Sequence, residues 1–327
     1  MTPKFLITVL TILCCSSARA FNADNAAKTV RSDGTVADTQ AAINYMNGKN
    51  QDGWVVTIGE PGGSYVWSAT EMNSIQVGGE KTYTLQGASP TNRPTISLDT
   101  AFSLYYGSTG QVTTVKDIIF TENPPGRSPA FFVGGSGPTP GFRFTNVRWQ
   151  GVFNSTLFLI GNPGGSGGTR GEGPFGLFDN CSGNSVTQFN IYGNNGGTDD
   201  QAVSPSWRLP IEWGTAKAVY FEDCDFRSST WGSGAGLTDA YNGGSFVFRY
   251  NRLENIVLLD HGPDHFSTKV KSVLKHEVMH NEFYYTAGSA VPWMVFFRGG
   301  TAAIFDNTFN TTSGSATNQG IFWDYFR

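Results

Sequence analysis

VKDIIF (Val115–Phe120), FTNVRW (Phe144–Trp149), FEDCDF (Phe221–Phe226), FRYNRL (Phe248–Leu253), VMHNEF (Val278–Phe283) and IFDNTF (Ile304–Phe309) are copies of one six-residue phrase. A degenerate copy, FDNCSG, sits at Phe178–Gly183. The first position is apolar in every copy, and the sixth is a large apolar residue in all but the degenerate one. The third is most often Asp or Asn, and the fourth is usually Val, Cys or Asn. The starts are 29, 34, 43, 27, 30 and 26 residues apart. Self-similarity at periods of about 20–50 residues marks solenoids, propellers or arrays. A propeller blade needs four strands in roughly 40–50 residues. The commonest spacing here is 26–30, with one phrase per repeat. That favours single coils of a β-solenoid, with loops inserted into the longer repeats.

The phrase also says how each coil is shaped. A one-sided alternating strand does not place apolar residues at positions one and six. A strand that bends at an Asn or Asp and then continues does, which is the corner of a parallel coil. A polar side chain at such a corner can hydrogen-bond its equivalent in the next coil. Asn251, Asn281 and Asn307 share position four and predict a stacked ladder. His280 falls at position three, where other copies carry Asp117, Asn146, Asp223 and Asp306, so it reads as a corner residue. Cys181 and Cys224 also share position four. In neighbouring coils they would stand about 4.8 Å apart, close enough for a disulfide. Two buried free thiols are the other reading.

Composition agrees with sheet. Gly is 41 of 327 residues, only 15% are charged, and there are 25 Phe. Abundant turn formers and β-favouring aromatics argue against a helical protein. The net charge of −4 and the lack of a basic stripe argue against nucleic acid as a partner. A basic Lys4, an apolar run from Phe5 to Cys15 and an Ala18-Arg19-Ala20 site form a secretory signal peptide over residues 1–20. The expected location is therefore secreted or periplasmic. No later stretch reaches the ~20 apolar residues of a membrane span. Residues 21–327 are expected to form one β-helix domain, with an N-terminal cap over about 36–60, and to act as a monomer.

Residues 21–34 read as a loose lead-in. Asp38 or Thr39 can then cap a short helix over Gln40–Asn47, stopped by Gly48. Strands follow at Trp54–Ile58, Tyr65–Trp67, Lys81–Gly87 and Arg93–Leu98. Gly161–Gly173 and Asn194–Gln201 read as surface loops. The sequence TQAAIN, followed by an apolar strand, a Pro-Gly-Gly turn and Tyr65, resembles the start of right-handed parallel β-helix proteins of the pectate-lyase-like and polygalacturonase-like families. The resemblance spans nearly all of residues 21–327. It implies an all-β, right-handed, single-stranded parallel β-helix whose open end is plugged by the helix. It implies a polysaccharide as partner and Ca²⁺ as a cofactor, and it is weak for activity because this architecture hosts many chemistries.

All four histidines lie between His261 and His280. His261 and His265 bracket a DHGPDH segment after the strand Ile256–Leu259. β-Elimination of a uronate chain needs a base for the C5 proton, a cation for the carboxylate and an acid for the leaving oxygen. Arg249, His261 and Asp239 are the candidate catalytic residues. Tyr241, Arg252, Lys269, Arg298, Trp231 and Trp293 are the candidate substrate-binding residues. The R-x-P-x-x-R segment of pectate lyases is absent. Asp199-Asp200, His261-Gly262 and Lys269–Lys271 are similar to fragments of polygalacturonases, but their N-T-D signature is missing. Gly262-Pro263 prevents the helix that an i,i+4 zinc pair requires, so no metal ligands are assigned. The preferred function is a lyase of an acidic polysaccharide. A non-catalytic exported β-helix for surface binding or adhesion, and a glycoside hydrolase, are the alternatives.

Overall fold

The computed structural model describes residues 21–68, 74–79, 81–99, 101–107, 110–122, 131–135, 137, 139–151, 156–161, 173–184, 188–193, 211–228, 236–241, 243–260, 273–286, 293–311 and 320–323. The chain is a parallel β-solenoid with three sheets of 11, 9 and 9 strands. Sheet A contains Trp54–Ile58, Tyr83–Gly87 and the first half of every phrase, such as Ser245–Arg249. Sheet B contains the second half, such as Arg252–Glu254. Sheet C contains a third strand per coil, such as Gly236–Tyr241. Each strand pairs in parallel with its equivalent one coil away, as Phe221 does with Phe248 and Phe226 with Leu253.

The phrase is the corner between sheets A and B. Its third position is left-handed in all seven copies: Asp117, Asn146, Asn180, Asp223, Tyr250, His280 and Asp306 have φ between 52° and 60°. Asn and Asp tolerate this region best among residues with a Cβ, which explains the composition of that position. Tyr250 and His280 are the exceptions, and their rings stack at 5.2 Å and 3°. The left-handed residue turns the next side chain inward. Asn251 Nδ2 therefore donates to Asn281 Oδ1 at 2.9 Å, and Asn281 Nδ2 to Asn307 Oδ1 at 2.9 Å. Asn281 also donates to the carbonyl of Phe248 and accepts from the backbone N–H of Asn251. The ladder thus satisfies backbone groups that the bend takes out of the sheets.

Cys181 and Cys224 occupy the same inward position and are free thiols. Each sulfur lies 3.5 Å or less from two backbone carbonyls, Phe144 and Asp179 for Cys181, Phe178 and Glu222 for Cys224. Burial pushes the Cys224 thiol well up. Inside, equivalent aromatics stack from coil to coil. Phe144–Phe178, Phe178–Phe221 and Phe221–Phe248 have centroids 5.0, 4.9 and 4.2 Å apart. Sheet C adds Phe131–Phe158–Phe189 at 4.8 Å each.

The N-terminal end differs from expectation in two places. Asn22–Asp24 and Thr29–Ser32 form an antiparallel hairpin at the edge of sheet A, not a loose lead-in. The helix runs over Val36–Lys49 and starts earlier than Gln40. Thr35 is its cap: its hydroxyl accepts from the Asp38 N–H, while the Asp38 carboxylate accepts from the Asp33 N–H. Asn50, left-handed at φ 48°, ends it, so Gly48 lies inside. Ala42, Ile43 and Met46 are buried against the first coils, and Trp67 donates its indole N–H to the Gly34 carbonyl. The helix covers a core end that would otherwise be open to association. The interiors of both expected glycine-rich loops fall outside the described residues. No helix among the described residues is long and apolar enough to cross a membrane.

Asn281→Ala removes both side-chain bonds of the ladder and leaves the Asn251 N–H and the Phe248 carbonyl without their side-chain partner, so it should cost about 3 kcal/mol in denaturant unfolding. Asn307→Ala at the outer end should cost about 1 kcal/mol. Equal losses would show that the ladder is not what closes the corner. Cys181 and Cys224 should resist a water-soluble thiol reagent until the protein unfolds.

Candidate active site

The outer face of sheet C carries a polar row in its Gln188–Tyr192 strand. In the strand Gln188–Tyr192, Phe189 and Ile191 enter the core. Alternation sends Gln188, Asn190 and Tyr192 to the outer face. In the next coil Asp239 is the register partner of Asn190, and Tyr241 that of Tyr192. Gln188 Nε2 donates to Asp239 Oδ2 at 3.2 Å. Asp239 is only 3% exposed although it faces outward. Burial, with a smaller contribution from the Asp239 charge, raises Tyr192 above the ordinary tyrosine range, against a lowering hydrogen bond from Asn190. A carboxylate and a protonated phenol therefore lie on one face, in adjacent coils.

The sequence candidates distribute unevenly around the solenoid. Asp239 and Tyr241 are in one strand of sheet C. Trp293 opens another, and Arg298 follows its end. Trp231 precedes Gly236–Tyr241 in the chain, and His261 and Lys269 follow the strand Val257–Leu259, but all three lie outside the described residues. Of the six described candidates, Asp239, Tyr241, Trp293 and Arg298 belong to sheet C strands or directly follow one. Arg249 and Arg252 do not. Arg249 is on the outer face of sheet A, where its Nε donates to Glu222 Oε1 at 2.7 Å and it covers the Tyr220 ring at 5.1 Å. Arg252 is on sheet B, 3.0 Å from Glu254 and 4.5 Å over the Tyr284 ring. The left-handed residue Tyr250 divides the two arginines, so they do not converge with Asp239.

A second ionisable pair is internal. His276 faces the core, stacked on Phe297 at 4.0 Å and near Phe246 at 4.7 Å. Its Nε2 lies 2.8 Å from Asp260 Oδ2, both side chains being fully buried. The approach is close but badly aligned for a hydrogen bond. The other carboxylate oxygen accepts from the Arg298 N–H at 2.6 Å. Asp260 thereby ties together the chain entering residues 261–272 and the chain leaving sheet C at Phe297. Outside sheet A, Lys275 and Glu277 form a further buried pair at 2.8 Å. The turn at 212–214 closes over it, through the Glu212 carbonyl and the Gly214 N–H.

Tyr192, Gln188 and Asn190 were not among the sequence candidates. Their signal is the alternation QFNIY, in which polar residues and a tyrosine separate two core residues. Among the described residues no group of three His, Cys, Asp or Glu side chains comes together to hold a cation. The described donors do not fit the Ca²⁺ implied by the resemblance, and no step is derived through it.

No family model matches the chain, and no curated protein matches it. Among solved structures, the alginate lyase from Paenibacillus sp. str. FPU-7 is similar over 90% of this chain and 97% of that one. The identity is 12% and the TM-score 0.42, too low to carry an argument about the site.

Asp260→Ala should lower stability by about 3 kcal/mol, because it leaves the Arg298 N–H without its acceptor and removes the carboxylate facing buried His276. Hydrogen exchange at the Arg298 amide should speed up in the same variant. An unchanged exchange rate would show that the two connections are held in some other way.

Proposed function

We propose that the protein is an exported polysaccharide lyase that cleaves a uronate-containing polymer by β-elimination on the outer face of sheet C. The observation that carries this reading is that Asp239 and Tyr192 stand on the same face of adjacent strands, two register positions apart, with the Tyr192 phenol raised chiefly by burial. In this scheme Asp239 takes the C5 proton of the uronate. The electron pair forms the C4–C5 double bond, the C4–O4 bond breaks, and Tyr192 delivers its proton to the departing oxygen. A cation beside the C6 carboxylate acidifies C5. His261, Lys269 and Arg298 are the residues assigned to that role, since all three follow sheet C strands in the chain. Tyr241, Trp231 and Trp293 are assigned to sugar stacking.

The raised Tyr192 fits an acid better than a base. A group that stays protonated to higher pH keeps its donor form through neutrality, and is lost as a donor only above its own pKa. Export rests on the signal-like residues 1–20. One observation favours a second reading, a non-catalytic glycan-binding protein: at 3% exposure, Asp239 offers little surface to a polymer.

Incubation with pectate, alginate and hyaluronan, followed by the ultraviolet absorbance of the unsaturated product, separates the two. Absorbance should rise on at least one polymer; binding without any rise would leave the non-catalytic reading. Asp239→Asn should reduce kcat at least ~100-fold. The alkaline limb of the wild-type pH profile should lie above about 10, and Tyr192→Phe should remove that limb. Arg249→Ala, on a different sheet, should change kcat less than ~3-fold, as expected for a partly exposed ion pair remote from the reacting atoms.

A further inference from the structure

The outer face of sheet B holds a hollow that no step of the lyase scheme uses. It has a volume of about 260 Å³ and is lined by Arg148, Ser182, Asn184, Asp225 and Arg227. Its origin is visible in the register. Arg148, Ser182 and Asp225 are partners on three successive strands, and so are Gln150, Asn184 and Arg227. The middle coil is the degenerate copy of the phrase, and its two outward residues are short. Long side chains on either side, about 10 Å apart across two strand spacings, therefore stand as walls with a gap between them.

The charges of those walls are unequal. Arg227 is committed: it donates to both oxygens of Asp225, at 2.8 and 2.5 Å, and lies 4.0 Å from Glu254. Arg252 approaches the same Asp225 at 3.6 Å. Arg31, Arg93, Arg143, Arg249 and Arg252 likewise have polar partners for their guanidinium groups. Among the described residues, no hydrogen bond or ion pair engages the guanidinium of Arg148. Its charge is felt nearby: after burial, it is the next cause of the lowering at Arg93. An unpaired guanidinium on a chain of net charge −4 is not a general background of positive charge. A guanidinium presents a planar fork of donors that matches an oxyanion in two-point contact. Drug-sized pockets begin at about 300 Å³, so this hollow suits one sugar ring or one charged group, not a chain.

We propose that this hollow is a second glycan subsite, in which Arg148 binds one carboxylate or sulfate group of an acidic saccharide, with Ser182 and Asn184 as hydroxyl and amide partners. The ligand class rests on the acidic-polysaccharide reading; the site itself does not. A uronate and a sulfate ester offer the same oxyanion chemistry, and the test distinguishes them.

The full chain carrying Asp239→Asn, to silence turnover, is titrated by calorimetry with a galacturonate trimer, a sulfated disaccharide and neutral maltotriose. Arg148→Ala, Arg148→Lys and Ser182→Phe are compared on the same background, with melting temperatures checked. At least one anionic ligand should bind, at least ~10-fold more weakly to Arg148→Ala, as expected for loss of a charge-assisted contact. Arg148→Lys should fall between, Ser182→Phe should fill the gap and abolish the Arg148-dependent binding, and maltotriose should not bind at this site. Binding of the trimer alone assigns a uronate; binding of the sulfated ligand alone assigns a sulfate ester. Equal affinity in the parent and Arg148→Ala, or no anion binding by the parent, overturns the subsite. If Ser182→Phe fails to fold, the two Arg148 variants still decide. Anion binding that depends on Arg148, in a protein inactive on every polymer, would keep the subsite and remove the lyase.

Discussion

The left-handed residue between sheets A and B is the constraint on which the rest of the solenoid depends. Seven times the chain takes a φ near 55° at a residue with a Cβ, a conformation that is costly for most side chains. Asn and Asp lower that cost, and the inward residue that follows ties off the freed backbone. Because the corner is only two residues long, it admits no slack. A slip of one residue would turn every aromatic outward. The coil-to-coil stacks of Phe144, Phe178, Phe221 and Phe248 exist because the corner holds that register.

The same rigidity separates the outer faces. Strands are short, so each coil shows one to three side chains per sheet. Any site must be assembled from neighbouring coils, and residues close in sequence can land on different faces. Arg249 and Arg252 are three residues apart in the chain and on different sheets. Asp239 and Asn190, 49 residues apart, are register partners. Proximity along the chain is a poor guide to a site in such a fold, whereas position within the coil is a good one.

This explains what the sequence made legible. The phrase carried the solenoid, the Asn251–Asn281–Asn307 ladder and the corner role of His280, because each is a periodic requirement repeated in every coil. The helix was legible in kind, but its start was missed: Thr35 caps through Asp38, and Asp38 resembled a cap itself. The hairpin at Asn22–Ser32 left no periodic trace. Asp239 stood among the sequence candidates, while its neighbours Gln188, Asn190 and Tyr192 did not. Their strand is not part of the phrase, so no repeat drew notice to its outward residues. Arg148 was hidden in the opposite way, as an ordinary member of the phrase. Its distinction lies in what its neighbours lack, the length of Ser182 and Asn184.

Asp260 and His276 show where the solenoid departs from its own rule of an apolar interior. A buried ionisable pair contributes little net stability compared with well-packed apolar residues of the same volume, and aromatic rows fill equivalent space elsewhere in this core. Stability alone therefore does not account for it. Its geometry does: one carboxylate oxygen holds the Arg298 N–H, the other faces His276 in the neighbouring strand of sheet A. The pair fixes, at one point, where residues 261–272 leave sheet C and where Arg298 leaves it one coil later. The internal pair therefore acts through position, fixing where two successive connections leave sheet C; in the proposed scheme those connections carry all three cations assigned to the uronate carboxylate.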